Sequence, residues 1–258
     1  MASSLNCSAA DKTMAELYPL PLMATGNPAN QTDLSYQVSV QLGGGHYCSG
    51  ALVRPDWVLT SAHCVQNTRA NYKVLLGNNL QNKNASYRVV KKIVLHQDFN
   101  YRTLANNIAL LQLAAPAASR FRPLQLPTAA VMAQLVYPGS YLTTASWGAF
   151  RADGSGPDQL QQVDLPLVAN NECEQQYLYQ AALFASMICA GFAKGTEHHC
   201  VADSGAPLVA RYQGVDYSLG LASWGQSCQS EPIPAESYML FSSSWFYLDW
   251  INSQLPPL

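Results

Sequence analysis

The chain has 258 residues, 48% of them apolar, enough for a substantial core in one or two domains and too many for a disordered chain. Charged residues make up only 12%, and 14 basic against 16 acidic side chains leave a net charge of −2. No basic run points to nucleic acid, and no stretch of 18 or more apolar residues points to a membrane span.

Taken from the start, MASSLNCSAADKTMAELYPLPL lacks the basic opening and unbroken apolar stretch of a secretory signal. Seven cysteines and Asn-x-Ser/Thr triplets at Asn6, Asn30 and Asn84 nevertheless suggest a secreted, oxidised protein, with a signal already removed or lying ahead of this start. Short runs rich in Val, Leu, Tyr and Thr follow between Gly, Pro, Asn and Asp clusters: SYQVSVQL, GALVRPDWVLT, NYKVLLG, SYRVVKKIVLH, NIALLQL, YLTTASW, GAPLVARY and YSLGLASW. Many short strands spaced by turns predict an all-β barrel or sandwich. A Pro- and Ala-rich stretch, Ala114–Ala133, reads as the join between two similar halves. Helical periodicity is confined to Asn170–Tyr179 and to Trp245–Gln254, the latter stopped by a Pro-Pro pair.

Two phrases carry chemistry. Asp203-Ser204-Gly205, inside CVADSGAPLV, gives a tight turn able to present a hydroxyl together with backbone N–H groups. A serine hydroxyl is a weak nucleophile until a base takes its proton and donors receive the developing oxyanion. The base is predicted in LTSAHCV as His63, followed at once by Cys64, with Cys48 far enough ahead for a disulfide to clamp the loop.

With Ser223-Trp224-Gly225, these residues resemble the trypsin/chymotrypsin-like serine protease family from about Met23 to Ile251. YQVSVQ is similar to PWQVSLQ, LTSAHC to LTAAHC, TLANNIALLQL to TLxNDIALLKL, and CVADSGAPLV to CxGDSGGPLV; Trp147-Gly148 sits where the family has GWG. The resemblance implies two packed six-stranded antiparallel β-barrels with a C-terminal α-helix and a site in the cleft between them. It divides the chain into a leader-like segment, 1–22, and a protease domain, 23–258, with barrels at about 23–128 and 129–244 and the helix at about 245–254. It implies His63 as general base, Ser204 as nucleophile, and the backbone N–H groups of Ala202 and Ser204 as the oxyanion hole. It also implies a new terminus at Met23 that pairs with Asp203, a specificity pocket near His198 and Glu236, and a substrate-pairing strand at Ser223, Trp224 and Gly225. Disulfides are implied for Cys48–Cys64, Cys173–Cys189 and Cys200–Cys228; Cys7 is left over, for another chain or as a free thiol. The implied partner is a peptide or protein, with no cofactor and no metal.

Several positions depart from the family pattern. Asn107 stands where the family has the aspartate behind the histidine, and no neighbouring acid replaces it. Ala202 and Ala206 replace glycines around the nucleophile. Leu22, not Arg or Lys, precedes Met23, so trypsin-like activation is not expected, and an uncut chain would leave the Asp203 carboxylate without its ammonium partner. His198 and Glu236 could pair with each other or sort substrates by charge. The loop after Leu76-Gly77 has asparagines in place of acids, which predicts no calcium there. The sequence therefore carries three readings: an endopeptidase impaired by Asn107, an inactive homologue serving as a binding or inhibitory module, or a related acyl hydrolase that attacks esters, which need less activation.

Overall fold

The computed structural model describes residues 27–28, 34–77, 79–80, 86–147, 159–176, 186–192, 203–225 and 237–257. Six strands form the first barrel: β2 (Gln37–Leu42), β3 (Gly45–Arg54), β4 (Trp57–Thr60), β5 (Lys73–Leu76), β6 (Ser86–Leu95) and β7 (Ala109–Leu113). They close in the order β2-β3-β4-β7-β6-β5, every pairing antiparallel. Alternation in QVSVQL sends Val38 and Val40 inward to meet Leu52, Val58, Val74 and Leu111. The run GALVRPDWVLT, read above as one strand, is a hairpin: Pro55 has no N–H for a ladder, and the chain turns there with Asp56.

The second sheet runs β9-β8-β11-β12-β13-β10, built from β8 (Tyr141–Ser146), β9 (Gln161–Pro166), β10 (Met187–Phe192), β11 (Pro207–Tyr212), β12 (Val215–Gly225) and β13 (Ser237–Ser243). A bridge between Leu167 and Ala190 joins its two ends, so these six strands also curl into a barrel, filled by Leu142, Leu165, Leu208, Leu219 and Phe241. The short β1 (Asn27–Pro28) adds to β9. The all-β, two-barrel architecture implied by the resemblance is present.

Helices are short. α1 (Ala129–Leu135) lies partly within the stretch read as a simple join; Thr128 Oγ1 accepts the Val131 N–H and caps it. α2 (Asn170–Gln176) covers the first part of the expected Asn170–Tyr179, the remainder lying outside the described residues. α3 (Leu248–Gln254) begins three residues later than expected. In the preceding turn the Phe246 N–H goes to Ser243 Oγ and the Leu248 N–H to the Trp245 carbonyl three residues back, so the regular helical ladder starts only after it. Tyr247, Ile251 and Leu255 then pack on Val53, Leu59 and Leu110 of the first barrel and Leu221 of the second, fastening the two together.

Disulfides join Cys48 to Cys64 and Cys173 to Cys189, as the resemblance implied. Each closes a separation of 16 residues, a loop size for which the chain-entropy cost removed from the unfolded state is about 3 kcal/mol. Replacing Cys48 and Cys64 together by alanine should lower stability in urea by about that amount. Cys7, Cys200, Cys228 and the three Asn-x-Ser/Thr asparagines lie outside the described residues. Among the described residues, no helix is long and apolar enough to cross a membrane.

Candidate active site

Three segments converge at the seam between the barrels. His63 lies on a 3₁₀ turn, Ala62–Val65, at the end of β4, its loop pinned by the Cys48–Cys64 disulfide. Asn107 lies two residues before β7 and is completely buried. Ser204 lies in the turn before β11. That turn is held from both sides: Ser49 N–H donates to the Ser204 carbonyl at 2.8 Å from the first barrel, and Gly205 N–H donates to the Ala222 carbonyl at 2.8 Å in the second.

His63 Nε2 and Ser204 Oγ are 2.8 Å apart. Behind the ring, Asn107 Oδ1 accepts the backbone N–H of His63 at 3.0 Å, while Nδ2 lies 2.8 Å from His63 Nδ1 and donates to Ser223 Oγ at 2.8 Å. A peptide N–H is always a donor, so the amide atom facing it must be the oxygen. That requirement turns the NH₂ group towards the ring. The NH₂ donates to the Nδ1 lone pair, which puts the imidazole proton on Nε2, facing Ser204. In this tautomer the ring holds the serine hydroxyl but has no lone pair to take its proton. The productive tautomer has only the longer contact, Nδ1 to Asn107 Oδ1 at 3.2 Å, to support it.

Burial adds to the effect. Desolvation lowers the His63 pKa from 6.5 to about 4, against a smaller raising influence of the Asn107 hydrogen bond. The imidazolium that forms when serine gives up its proton is therefore disfavoured, with no carboxylate to stabilise it. The sulfurs of Cys48 and Cys64 lie near the ring, but they are bonded to each other and neither is a thiolate ligand.

A second buried network surrounds the neighbour of the nucleophile. Asp203 Oδ2 accepts from His46 Nε2 at 2.9 Å, from Ser49 Oγ at 3.2 Å and from the Trp147 backbone N–H at 3.0 Å. His46 Nδ1 is in turn 2.8 Å from Ser39 Oγ. Here the Asp203 carboxylate is held by donors of the first barrel, His46 and Ser49, together with the Trp147 N–H. His46, Ser39 and Ser49 were missed in the sequence, although His46 stands two residues before the clamped Cys48, a position that a search for buried acid partners could have tested.

Of the other expected site residues, Ser223, Trp224 and Gly225 end β12, with Ser223 turned to Asn107 and Trp224 buried against Leu104, Tyr238 and the Cys173–Cys189 disulfide. Met23, His198, Ala202 and Glu236 lie outside the described residues, as does most of the loop after Gly77.

A family model described as Trypsin matches residues 23–251. This chain belongs to the trypsin family. It is 32% identical over 244 residues to transmembrane protease serine 11G of Mus musculus, covering 93% of this chain and 57% of that protein. The Rattus norvegicus protein of the same name is 33% identical over 243 residues, covering 92% and 56%. Transmembrane protease serine 11C of Mus musculus is 31% identical over 237 residues, covering 90% and 53%. The chain spans just over half the length of these curated relatives.

Proposed function

We propose that this protein is a secreted trypsin-like serine endopeptidase that cleaves peptide bonds through an acyl-enzyme on Ser204, with turnover strongly lowered by Asn107. The observation that carries this reading is the 2.8 Å contact between His63 Nε2 and Ser204 Oγ. In the minor tautomer, Ser204 Oγ attacks the carbonyl carbon as its proton passes to Nε2. The same proton then goes to the leaving amine, and water repeats the sequence to release the acid. Ala202 and Ser204 N–H groups serve the oxyanion, and Ser223 to Gly225 align the substrate backbone. His198 and Glu236 line the specificity pocket, and a terminus freed at Met23 takes over Asp203. On this reading 1–22 is the leader, and the barrels divide at about residue 128. Two disulfides support an oxidising, extracellular setting.

The alternative, a binding or inhibitory module on a silenced protease fold, is favoured by the orientation of the Asn107 amide and by the three donors on Asp203. Fluorophosphonate labelling separates the two. Slow labelling that disappears in Ser204→Ala and falls sharply in His63→Ala supports the enzyme; a folded protein that never labels supports the module. The pH profile adds a check. Because His63 stays neutral down to about pH 4, labelling should hold through pH 5 and fail only near pH 4, not near the ordinary 6.5.

A further inference from the structure

Charge is divided unevenly along this chain. Residues 34–113 carry eight basic and two acidic side chains, whereas residues 129–258 carry three basic and eleven acidic. The near-neutral total hides an excess of positive charge along the segment that forms the first barrel. Part of that positive charge collects on the outer face of β5 and β6. Tyr87 and Val89 point outward from β6, 47% and 55% exposed. Lys73 on β5 is exposed directly opposite Val89 in the ladder. An irregularity in the β6–β7 pairing between Val90 and Lys92 breaks the alternation, so Lys91 and Lys92 are both exposed. Arg88 is anchored beside them, its guanidinium donating to the carbonyls of Pro116 and Tyr87 and to Ser86 Oγ. Among the described residues, Lys73, Lys91 and Lys92 make no ion pair.

We propose that this face docks an extended acidic segment of a partner polypeptide, with apolar side chains of the segment resting on Tyr87 and Val89 and its carboxylates on Lys73, Lys91 and Lys92. β5 pairs with Ser86–Val89 and β7 with Val90–Leu95 within a closed barrel, and the exposed side chains of Lys73, Tyr87, Val89, Lys91 and Lys92 are what this face offers a ligand. The row from Tyr87 to Lys92 is about 17 Å long at ~3.3 Å per residue, which suits five or six extended residues. The two exposed apolar side chains amid the cations favour a peptide over a purely anionic polymer, which has nothing to place on them.

The test uses the full chain and three fluorescent probes in anisotropy titrations at low salt. One is a twelve-residue peptide of Asp and Glu with two central Phe residues, the second is the same peptide with Ser for Phe, and the third is a heparin oligosaccharide of equal charge. The Phe-bearing peptide should bind best and weaken as salt rises. Its affinity should fall at least about tenfold in K73Q/K91Q/K92Q and about fivefold in Y87A/V89S. All the substituted side chains are exposed, so an unchanged thermal midpoint should accompany these losses. Absence of saturable binding, affinity untouched by the lysine substitutions, or heparin binding at least as tightly with no effect of Y87A/V89S would each overturn the proposal.

Discussion

Asn107→Asp is expected to raise kcat/KM for peptide hydrolysis by about 10³–10⁴. The reverse change, aspartate to asparagine in this family's own triad, lowers kcat by about 10⁴, and that known magnitude is carried over here as the upper value. It corresponds to roughly 5.5 kcal/mol of barrier. The structural reason is local. The position is fully buried and already faces three groups able to donate: the His63 backbone N–H, His63 Nδ1 and Ser223 Oγ. A carboxylate accepts from all three, so the conflict that forces an amide NH₂ against Nδ1 vanishes. The imidazole proton moves to Nδ1, Nε2 gains its lone pair towards Ser204, and the new negative charge stabilises the imidazolium. The 2.8 Å contact to Ser204 needs no rearrangement.

The same substitution has a second readout. A buried carboxylate beside the ring raises the His63 pKa from about 4, so the acid limb of activity or labelling should move up in Asn107→Asp. A shifted limb with an unchanged rate would show that the charge was restored while the block lay elsewhere, at Ala202 or in the Asp203–His46 network. Stability follows the same logic with its own sign. The unfolded histidine titrates at its ordinary 6.5 and the folded one near 4, so the unfolded state binds more protons between those values. His63 therefore contributes a loss of stability as pH falls from 6.5 to 4, measurable as a falling urea midpoint over that window.

The reach of the sequence differs from part to part. Strands such as QVSVQL are visible because polar and apolar side chains alternate along them, although the polar face of QVSVQL, with Gln37 and Ser39, is buried as well. β9, β10 and β13 passed unnoticed. QQVDLP is too polar to signal a strand, and MICAGF lacks alternation because all but its last residue is buried. The His63 and Ser204 phrases are legible because a catalytic turn constrains several consecutive residues. The Asp203–His46–Ser39 network is not, because its members come from separate segments and each is unremarkable in its own. The orientation of the Asn107 amide is likewise absent from the sequence: it is decided by one backbone N–H, that of His63, brought to 3.0 Å by the fold.

Gly205→Ala should be the most damaging single substitution at the site, at about 3 kcal/mol or more, with loss of Ser204 labelling in whatever folds. Gly205 has φ +80°, a conformation that costs a side-chain-bearing residue roughly 1–2 kcal/mol. Space is the larger difficulty. A Cβ there would meet the Ser49 carbonyl oxygen at 2.3 Å, Thr60 Oγ1 at 2.4 Å and the Ser61 nitrogen at 3.2 Å. Two of these are backbone atoms of the first barrel, and Thr60 Oγ1 is itself tied to the Ser49 carbonyl at 2.7 Å, so no flexible side chain can yield. Relief would require the Ser204 turn to retreat from Ser49, which breaks the 2.8 Å hydrogen bond holding the nucleophile to the first barrel and carries Ser204 away from His63. Gly214→Ala provides the control: its φ is +79°, but a Cβ there meets nothing within 4 Å. It should cost only about 1 kcal/mol and leave labelling intact. Equal losses in the two variants, read from urea midpoints, would mean that backbone conformation alone dictates glycine at 205 and that the seam is looser than these distances require.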